Sequence, residues 1–469
     1  MNWTATKGNA AEPPHGIDSP TATNDPVDAE IPASPFDMAI LRDYFLSSVK
    51  PRNEWRVGAE LELLGYDAKT QQRLDHTQIQ SAIKDLAVDA EDHTFDGGVF
   101  AGAHQTSGGD LTVEPGGQLE YSSAPRSGLA AIELELKDYL ARLKVVAETR
   151  GMQFLALGFD PLRRLDEQHW FPKPRYEIMR PYMAGQGARA WDMMTRTCAV
   201  QVSLDFDSET DLIRKFVLGN RLAPFVAAMF ANSPFAEGRP SGFKSTRGLT
   251  WLETDPDRSG LPELAWSNSA SVDELVRYAL DVPMLFRRRD GRYRDGRTGV
   301  KFRNYLSTVE LTEDELLADW ADHLTTIFTE ARVKQYVELR SADCGSLPLV
   351  MAAQALWKGL LYDLDSQIEA AKLLPDLNSS EMAELQWAVA REGLQAQANK
   401  VSVLGPAQEL VRLATAGLQR QAPDEVRFLD ILHQQVIDEA ICPADILLRN
   451  WEGSWHHSME PVFAATRIA

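Results

Sequence analysis

The sequence predicts an α+β fold built on an antiparallel sheet. Three observations carry this. Segments of period-two alternation lie among helical segments in the first part of the chain. Regularly spaced βαβ units, the mark of a doubly wound parallel sheet, are missing. After about Ser346 almost everything reads as helix.

Residues 1–35 are rich in Pro, Ala, Thr and Asp and nearly free of aliphatic side chains. Such a segment cannot bury enough surface to offset its ordering entropy, so a disordered tail is expected there. Residues 36–469 are read as a single domain whose 346–450 part is mainly helical. Met38, Ile40, Leu41 and Phe45 recur at helical spacing, whereas from Trp55 to Tyr66 the pattern switches to period two. Residues 109–124 are Gly-rich and strand-like, and Ser127 to Arg150 is a long helix. A strand over 198–206 precedes a helix over 209–230. A helical run ending near Phe328 leads into a strand over 332–340. Helices then follow over 347–373, 379–402, 406–419 and 424–440, separated by Pro, Asn and Gly.

The chain has 469 residues, with 48 Lys and Arg against 68 Asp and Glu, a formal net charge of −20. That balance argues against a nucleic-acid partner, since a phosphate backbone requires clustered basic residues. Three cysteines supply no disulfide framework and no CxxC pair. Cys198, Cys344 and Cys442 read as small buried thiols. No apolar run reaches the roughly 18 residues of a membrane span, and no apolar secretory segment opens the chain. A cytoplasmic, reducing compartment is therefore expected, with no membrane partner. The sequence leaves the oligomeric state open.

Residues two apart in a strand point the same way. Glu60 and Glu62 share one face of the 55–63 segment, opposite Val57, Ala59, Leu61 and Leu63. Gln118, Glu120 and Ser122 oppose Leu119 and Tyr121, with Glu114 just ahead of Pro-Gly-Gly. Gln201, Ser203 and Asp205 oppose Val200, Val202 and Leu204. Tyr336, Glu338 and Arg340 oppose Val337 and Leu339. Solvated strand faces are the ordinary meaning of such alternation. Glu60 and Glu62, however, have no Lys nearby, and the glycines mark a close backbone approach. Converging carboxylates repel one another unless cations lie between them. Mg²⁺ suits this, because it takes hard oxygen ligands and bridges to phosphates. No GxxxxGK[ST] occurs, so a nucleotide would be held by metals and arginines. Arg287-Arg-Arg289, with Arg292 and Arg294, reads as a solvated basic loop. His456-His457 has no partner at metal-ligand spacing.

Several longer segments resemble one family. Glu114-Pro-Gly-Gly-Gln-Leu-Glu120 followed by Ser123-Ala-Pro resembles the signature of the plant and proteobacterial type of glutamate–cysteine ligase. The likeness continues in Pro174-Arg-Tyr-Glu-Ile-Met-Arg180, Gln201-Val-Ser-Leu-Asp-Phe206, Asn232-Ser-Pro-Phe235, Gly242-Phe and Ser245-Thr-Arg247. It goes on through Asp281-Val-Pro-Met284, Trp320 to Phe328, and Tyr336-Val-Glu-Leu-Arg-Ser-Ala-Asp343. It runs from about Phe36 to the C-terminus.

The resemblance implies an ATP-dependent amide bond between the γ-carboxyl of L-glutamate and the amino group of L-cysteine, through an acyl phosphate. It implies a curved antiparallel funnel related to the catalytic domain of glutamine synthetase, and makes 36–469 the ligase domain. Glu60, Glu62, Glu114, Glu120 and Glu338, with Gln201, become the expected Mg²⁺ ligands. Arg340 is expected at the transferring phosphate. Arg247 matches the family's glutamate-binding arginine and Trp251 its neighbouring aromatic, while Arg175, Arg180 and Gln118 are expected near substrate or phosphate. Plant members use a regulatory disulfide whose cysteines do not map here, so no pairing is assigned and redox regulation is left open.

Departures concern selectivity. Glu120-Tyr-Ser-Ser-Ala-Pro125 replaces Glu-Leu-Ser-Gly-Ala-Pro, and Ser341 and Cys344-Gly-Ser stand where the family prefers glycines. Thr246 and Gly248 flank Arg247 in place of Met and Ser. Two alternatives therefore stay open: a γ-glutamyl ligase using a different amine, and a non-catalytic glutamate- or nucleotide-binding homologue. A metal-dependent hydrolase ranks last, because none of the nine histidines sits on the four strands.

Overall fold

The structure, a computed structural model, describes residues 38–267, 269–294 and 298–468. The expected tail over 1–35 lies outside these residues.

The sheet strands are β1 (Val57–Asp67), β2 (Ala90–Asp96), β3 (Val99–Gln105), β4 (Asp110–Val113), β5 (Leu119–Ser122), β6 (Met152–Leu155) and β7 (Ala199–Leu204). A separate hairpin, β8 (Arg287–Arg289) and β9 (Arg292–Arg294), follows, and then β10 (Ala331–Val333) and β11 (Val337–Asp343). The main sheet has 9 strands in the order β10-β11-β7-β1-β5-β4-β3-β2, with β6 on the far half of β1. Every pairing in it is antiparallel. Hairpins join β2 to β5 in turn, and β10 to β11. β1 pairs with β5, β6 and β7, and β7 with β11, across longer connections. An antiparallel sheet with helices between its strands is the α+β class.

Helices α1 (Met38–Leu46), α2 (Leu129–Arg150), α3 (Pro174–Met183), α4 (Ala190–Arg196), α5 (Glu209–Met229), α6 (Thr246–Leu252), α7 (Glu313–Leu324) and α8 (Leu347–Leu361) surround the sheet. β1 buries Val57, Ala59, Leu61 and Leu63 while the residues between them stay partly accessible, which is the alternation its sequence predicts. Its apolar face belongs to one core running from Leu41 to Phe463. α8, buried along nearly its whole length, forms the centre of that core behind β1 and β7.

Three expected elements differ. The strand over 332–340 is a hairpin: Val333 pairs Val337, and the Lys334 N–H donates to Tyr336 O at 2.9 Å. Strict alternation cannot distinguish a long strand from two short ones joined by a tight turn. The helix over 347–373 breaks at Asp363, whose carboxylate accepts the Ser366 N–H at 2.8 Å as a new N-cap. The helix over 379–402 stops at Gly393, where φ is +57°, and ends in a small hairpin.

Candidate active site

A cavity of ≈ 410 Å³ opens on the polar face of the sheet. Its floor is acidic. In the β-ladder Glu62 lies directly opposite Glu120 of β5, and Glu60 opposite Gln201 of β7. Directly opposed like charges destabilise a sheet, so something must compensate them. The Glu62 carboxylate accepts the Ala199 N–H at 2.6 Å and the Gln201 side-chain amide at 3.1 Å. Glu120 accepts the Thr112 hydroxyl at 2.6 Å. Burial, reinforced by Glu338 and Glu120, pushes Glu60 up to about 8. Burial and the neighbouring Glu120 and Glu114 push Glu62 well above the ordinary carboxylate range. Glu120 is raised by burial and Glu114. Among the described residues, no three His, Cys, Asp or Glu side chains form a ready metal cage. The floor is thus an open set of carboxylate oxygens that a cation would relieve.

Glu114 is delivered by a tight turn. The Gly117 N–H donates to Glu114 O at 2.9 Å, and Gly117 has φ of +78°. Arg73 is buried under the turn, and its Nη2 donates to Gly116 O at 2.9 Å. A Cβ at Gly116 would lie 2.3 Å from Thr195 O, so the turn packs against α4 with no room for a side chain.

The walls are cationic. Arg340 Nη1 donates to the Gln201 side-chain oxygen and, at 2.9 Å, to Glu338 Oε2. Arg247 is 4% exposed, and its Nη2 donates to Arg340 O at 2.7 Å. Trp251 lies beneath both guanidinium groups, 5.9 Å from Arg247 and 5.7 Å from Arg340. Among the described residues, Arg247 Nε and Trp251 Nε1 have no hydrogen-bond partner. Ser245 caps α6 through the Gly248 N–H at 2.8 Å, and Asp343 accepts the Ser245 and Ser233 hydroxyls at 2.9 and 2.6 Å. That arrangement fixes the first turn of α6 and with it Arg247. Across the cavity, Arg175 of α3 lies 4.9 Å over the Tyr176 ring and donates to its hydroxyl at 3.0 Å.

Three expected site residues are placed differently. Glu338 is fully buried and does not line the cavity. Its carboxylate is bound by Arg332 at 2.6 Å, Lys334 at 3.0 Å and Arg340 at 2.9 Å. Burial alone would raise it, but these three cations outweigh that and hold it well below the ordinary range. It is an ion-pair hub. Gln118 reaches the cavity wall, but its amide donates to Thr197 O at 3.0 Å and Met194 O at 3.3 Å and accepts the Gly116 N–H. Its polar atoms are thus occupied by holding the turn against α4. Arg180 is exposed outside the cavity, stacked 4.5 Å over Trp170 and 5.2 Å over Trp191, because a helix turns residues five apart to different faces.

Other lining groups escaped sequence reasoning: Lys173, Arg332, Lys334, Asp96 and Tyr293. Arg332 and Lys334 became visible only once the hairpin was known. Lys173 stands one residue before the Pro174 motif, the one signal that could have drawn attention to it. The basic run at 287–289 is also no free loop. Arg288 pairs with Asp322 at 3.3 Å, and Arg289 donates to both oxygens of Asp319, reaching Oδ2 at 2.6 Å; both acids lie on α7. Cys198, Cys344 and Cys442 are buried free thiols.

A sequence profile described as glutamate-cysteine ligase family 2 matches residues 56–465. The chloroplastic glutamate–cysteine ligase of Brassica juncea is 39% identical over 440 residues, covering 93% of this chain and 85% of the relative. Glutamate–cysteine ligase B, chloroplastic, of Oryza sativa subsp. japonica is 39% identical over 427 residues, covering 90% and 86%. A crystal structure of the glutamate–cysteine ligase from Francisella tularensis in complex with AMP superposes with a TM-score of 0.55. It covers 88% of this chain and 87% of that one at 14% identity, a likeness of fold. These relatives are chloroplastic proteins, which overturns the expectation of a cytoplasmic location. That expectation rested on the cysteine count and on the absence of a long apolar run, and neither bears on a transit peptide. Among the described residues no helix is long and apolar enough to cross a membrane. The profile and the curated relatives together establish that this chain belongs to glutamate-cysteine ligase family 2 and is a ligase.

Proposed function

We infer that the chain joins the γ-carboxyl of L-glutamate to the amino group of L-cysteine at the expense of ATP, as the first step of glutathione-type thiol synthesis. One observation carries this reading: a single cavity sets an acidic floor of Glu60, Glu62, Glu114 and Glu120 against Arg175, Arg247, Arg332 and Arg340. Joining two anions, a carboxylate and a triphosphate, requires both. The chemistry is mostly positioning and charge neutralisation.

The floor fits Mg²⁺. All its donors are hard oxygens, they are destabilised by mutual repulsion, and they form no closed cage, which suits an ion that keeps waters and bridges phosphates. Bound there, Mg²⁺ would neutralise the phosphate oxygens of ATP. Gln201 would orient Glu62 and Arg340, since it hydrogen-bonds both. Arg247 and Trp251 supply the unpartnered Nε and Nε1 donors for the glutamate α-carboxylate, and only a planar guanidinium offers a two-pronged match. Arg340 sits against the transferring phosphoryl group, held in place by Glu338. The γ-carboxylate oxygen attacks the γ-phosphorus and ADP leaves. The amine nitrogen then attacks the acyl carbon, and the bond from that carbon to the phosphate oxygen breaks. Residues 36–469 act as one catalytic unit in this reading.

Product mass after incubation with glutamate, cysteine and Mg-ATP tests it. The expected result is γ-glutamylcysteine with one ADP per amide. A product only with another amine would instead favour the acceptor alternative raised by Thr246, Gly248, Ser341 and Cys344. No ADP release with glutamate and any amine would overturn the reading.

A further inference from the structure

Two amino acids meet in this cavity, and each brings an α-carboxylate and an ammonium group. Arg175 Nε is a buried donor with no hydrogen-bond partner among the described residues, as Arg247 Nε and Trp251 Nε1 are on the facing wall. The ammonium groups need an anion. Of the five carboxylates that line the cavity, Glu60, Glu62, Glu114 and Glu120 form the floor. The fifth, Asp96, stands apart at the end of β2, separated from β4 by β3. Its carboxylate makes no hydrogen bond or ion pair among the described residues. A tight turn holds it there. Asp96 pairs with Val99 across Gly97 and Gly98, whose φ values of +59° and +84° suit a two-residue hairpin. A Cβ on Gly97 would lie 2.3 Å from Pro174 Cγ, so the turn rests on the first residue of α3 with no room for a side chain. The tip that carries Asp96 is thereby fixed against the segment that carries Arg175. Lys173 and Tyr293 are within electrostatic reach of Asp96 and line the same wall. Lys173 Nζ is anchored elsewhere, donating to Val113 O at 2.8 Å.

Resting on the ligase reading given above, we propose that Asp96 binds the ammonium group of the incoming acceptor while Arg175 binds its carboxylate. The other surfaces are already taken. The floor holds the metal and the phosphates. Arg247 and Trp251 hold the α-carboxylate of glutamate, and the ammonium of glutamate is bonded to the same carbon, hence on their side. The acceptor approaches the acyl carbon from the remaining wall, which carries both a cation and an anion. A free α-amino acid matches both. An amine without a carboxylate leaves Arg175 unpaired, which costs affinity and makes this wall a selector of the acceptor. Asp96 acts on binding of the acceptor, and activation of glutamate by ATP does not involve it.

That separation provides the test. Hydroxylamine is neutral near pH 7 and needs no anion to hold it, and it captures an acyl phosphate as a hydroxamate. Wild-type protein, Asp96→Asn and Asp96→Glu are each assayed with glutamate and Mg-ATP, with cysteine, cysteamine or hydroxylamine. In Asp96→Asn the KM for cysteine is expected to rise at least about tenfold, the loss of one charge-assisted hydrogen bond. The KM values for glutamate and ATP and the hydroxamate rate are expected to stay within about threefold of wild type. Asp96→Glu keeps the anion, so its KM for cysteine should lie closer to wild type than that of Asp96→Asn. Cysteamine, which lacks the carboxylate, should show a KM at least about tenfold above that of cysteine in wild-type protein, and the same dependence on Asp96. An unchanged KM for cysteine in Asp96→Asn, with or without a fall in kcat, would overturn the proposal. So would an equal rise in the glutamate KM, loss of hydroxamate in both variants, or equal KM values for cysteine and cysteamine. Absence of hydroxamate from wild-type protein would instead overturn the ligase reading, and the acceptor wall with it.

Discussion

Glu60 and Glu338 are both glutamates of one sheet, on strands separated only by β7. Their surroundings drive them in opposite directions. Glu60 belongs to a floor of carboxylates facing one another, and burial with Glu338 and Glu120 raises it to about 8. Glu338 belongs to a wall where Arg332, Lys334 and Arg340 converge on a single carboxylate and hold it far below its ordinary value. The floor stores repulsion that a ligand can relieve, whereas in the wall the one carboxylate is fully paired and the cations around it are in excess. Function is assigned to the first region, and the second supports it by fixing Arg340.

The largest expected effect follows from breaking the wall. Glu338→Gln leaves three cations around a neutral amide, and stripping one member from a buried ionic cluster costs about 3–5 kcal/mol. Urea unfolding should report that loss, together with reduced turnover. An unchanged midpoint would show that the wall's compensation is not what holds it.

Glu60→Gln should behave in the opposite way. A glutamine resembles the protonated acid that the floor already favours, so stability should change by no more than about 0.5 kcal/mol. Turnover should fall at least about a hundredfold through lost transition-state charge stabilisation, and raising Mg²⁺ should rescue it only in part. Near-normal kcat would show that the floor carboxylates are structural. The reverse pattern, unfolding with turnover intact in the residual folded fraction, would merge the two regions into one.

Arg247→Lys probes the wall where it meets substrate. The charge remains but the planar fork is lost. The KM for glutamate should rise at least about tenfold, equivalent to ~1.4 kcal/mol, while the KM for ATP moves much less. Equal rises in both constants would place Arg247 at the nucleotide.

The same division decides what could be read from the sequence. The floor was legible because a strand repeats every two residues: Glu60 and Glu62 fall on one face of β1 whatever the rest of the fold does, and the pairing register with β5 then sets Glu120 beside Glu62. The wall was not. Which charges reach Glu338 depends on a hairpin that folds Arg332 and Lys334 back over it, and no periodicity encodes a turn of that kind. Lys173 comes from the entry to a helix and Asp96 from the edge strand β2, whose exposed polar run has no apolar face to mark it. Gln118 was placed on the right face, but the sequence could not reveal that its amide is occupied by α4. The helical C-terminal part was legible as helix and less so in its breaks, because Asp363 and Gly393 act through local caps.

Arg175 and Arg180 offer the finest test, since the sequence paired them and the structure separates them. Arg175 lines the cavity over Tyr176, whereas Arg180 faces outward between Trp170 and Trp191. A cation over aromatic rings at an exposed site contributes ~0.5–1 kcal/mol, so Arg180→Ala should lower the melting temperature slightly. It should leave kcat and both KM values within about twofold, as surface substitutions do. Arg175→Ala should raise a KM or lower kcat by an order of magnitude or more, because its guanidinium is one of the few cations opposite the floor. If Arg180→Ala matched Arg175→Ala in its effect on turnover, the wall would have to extend around α3. The outward tryptophan stack would then have to open when substrate binds.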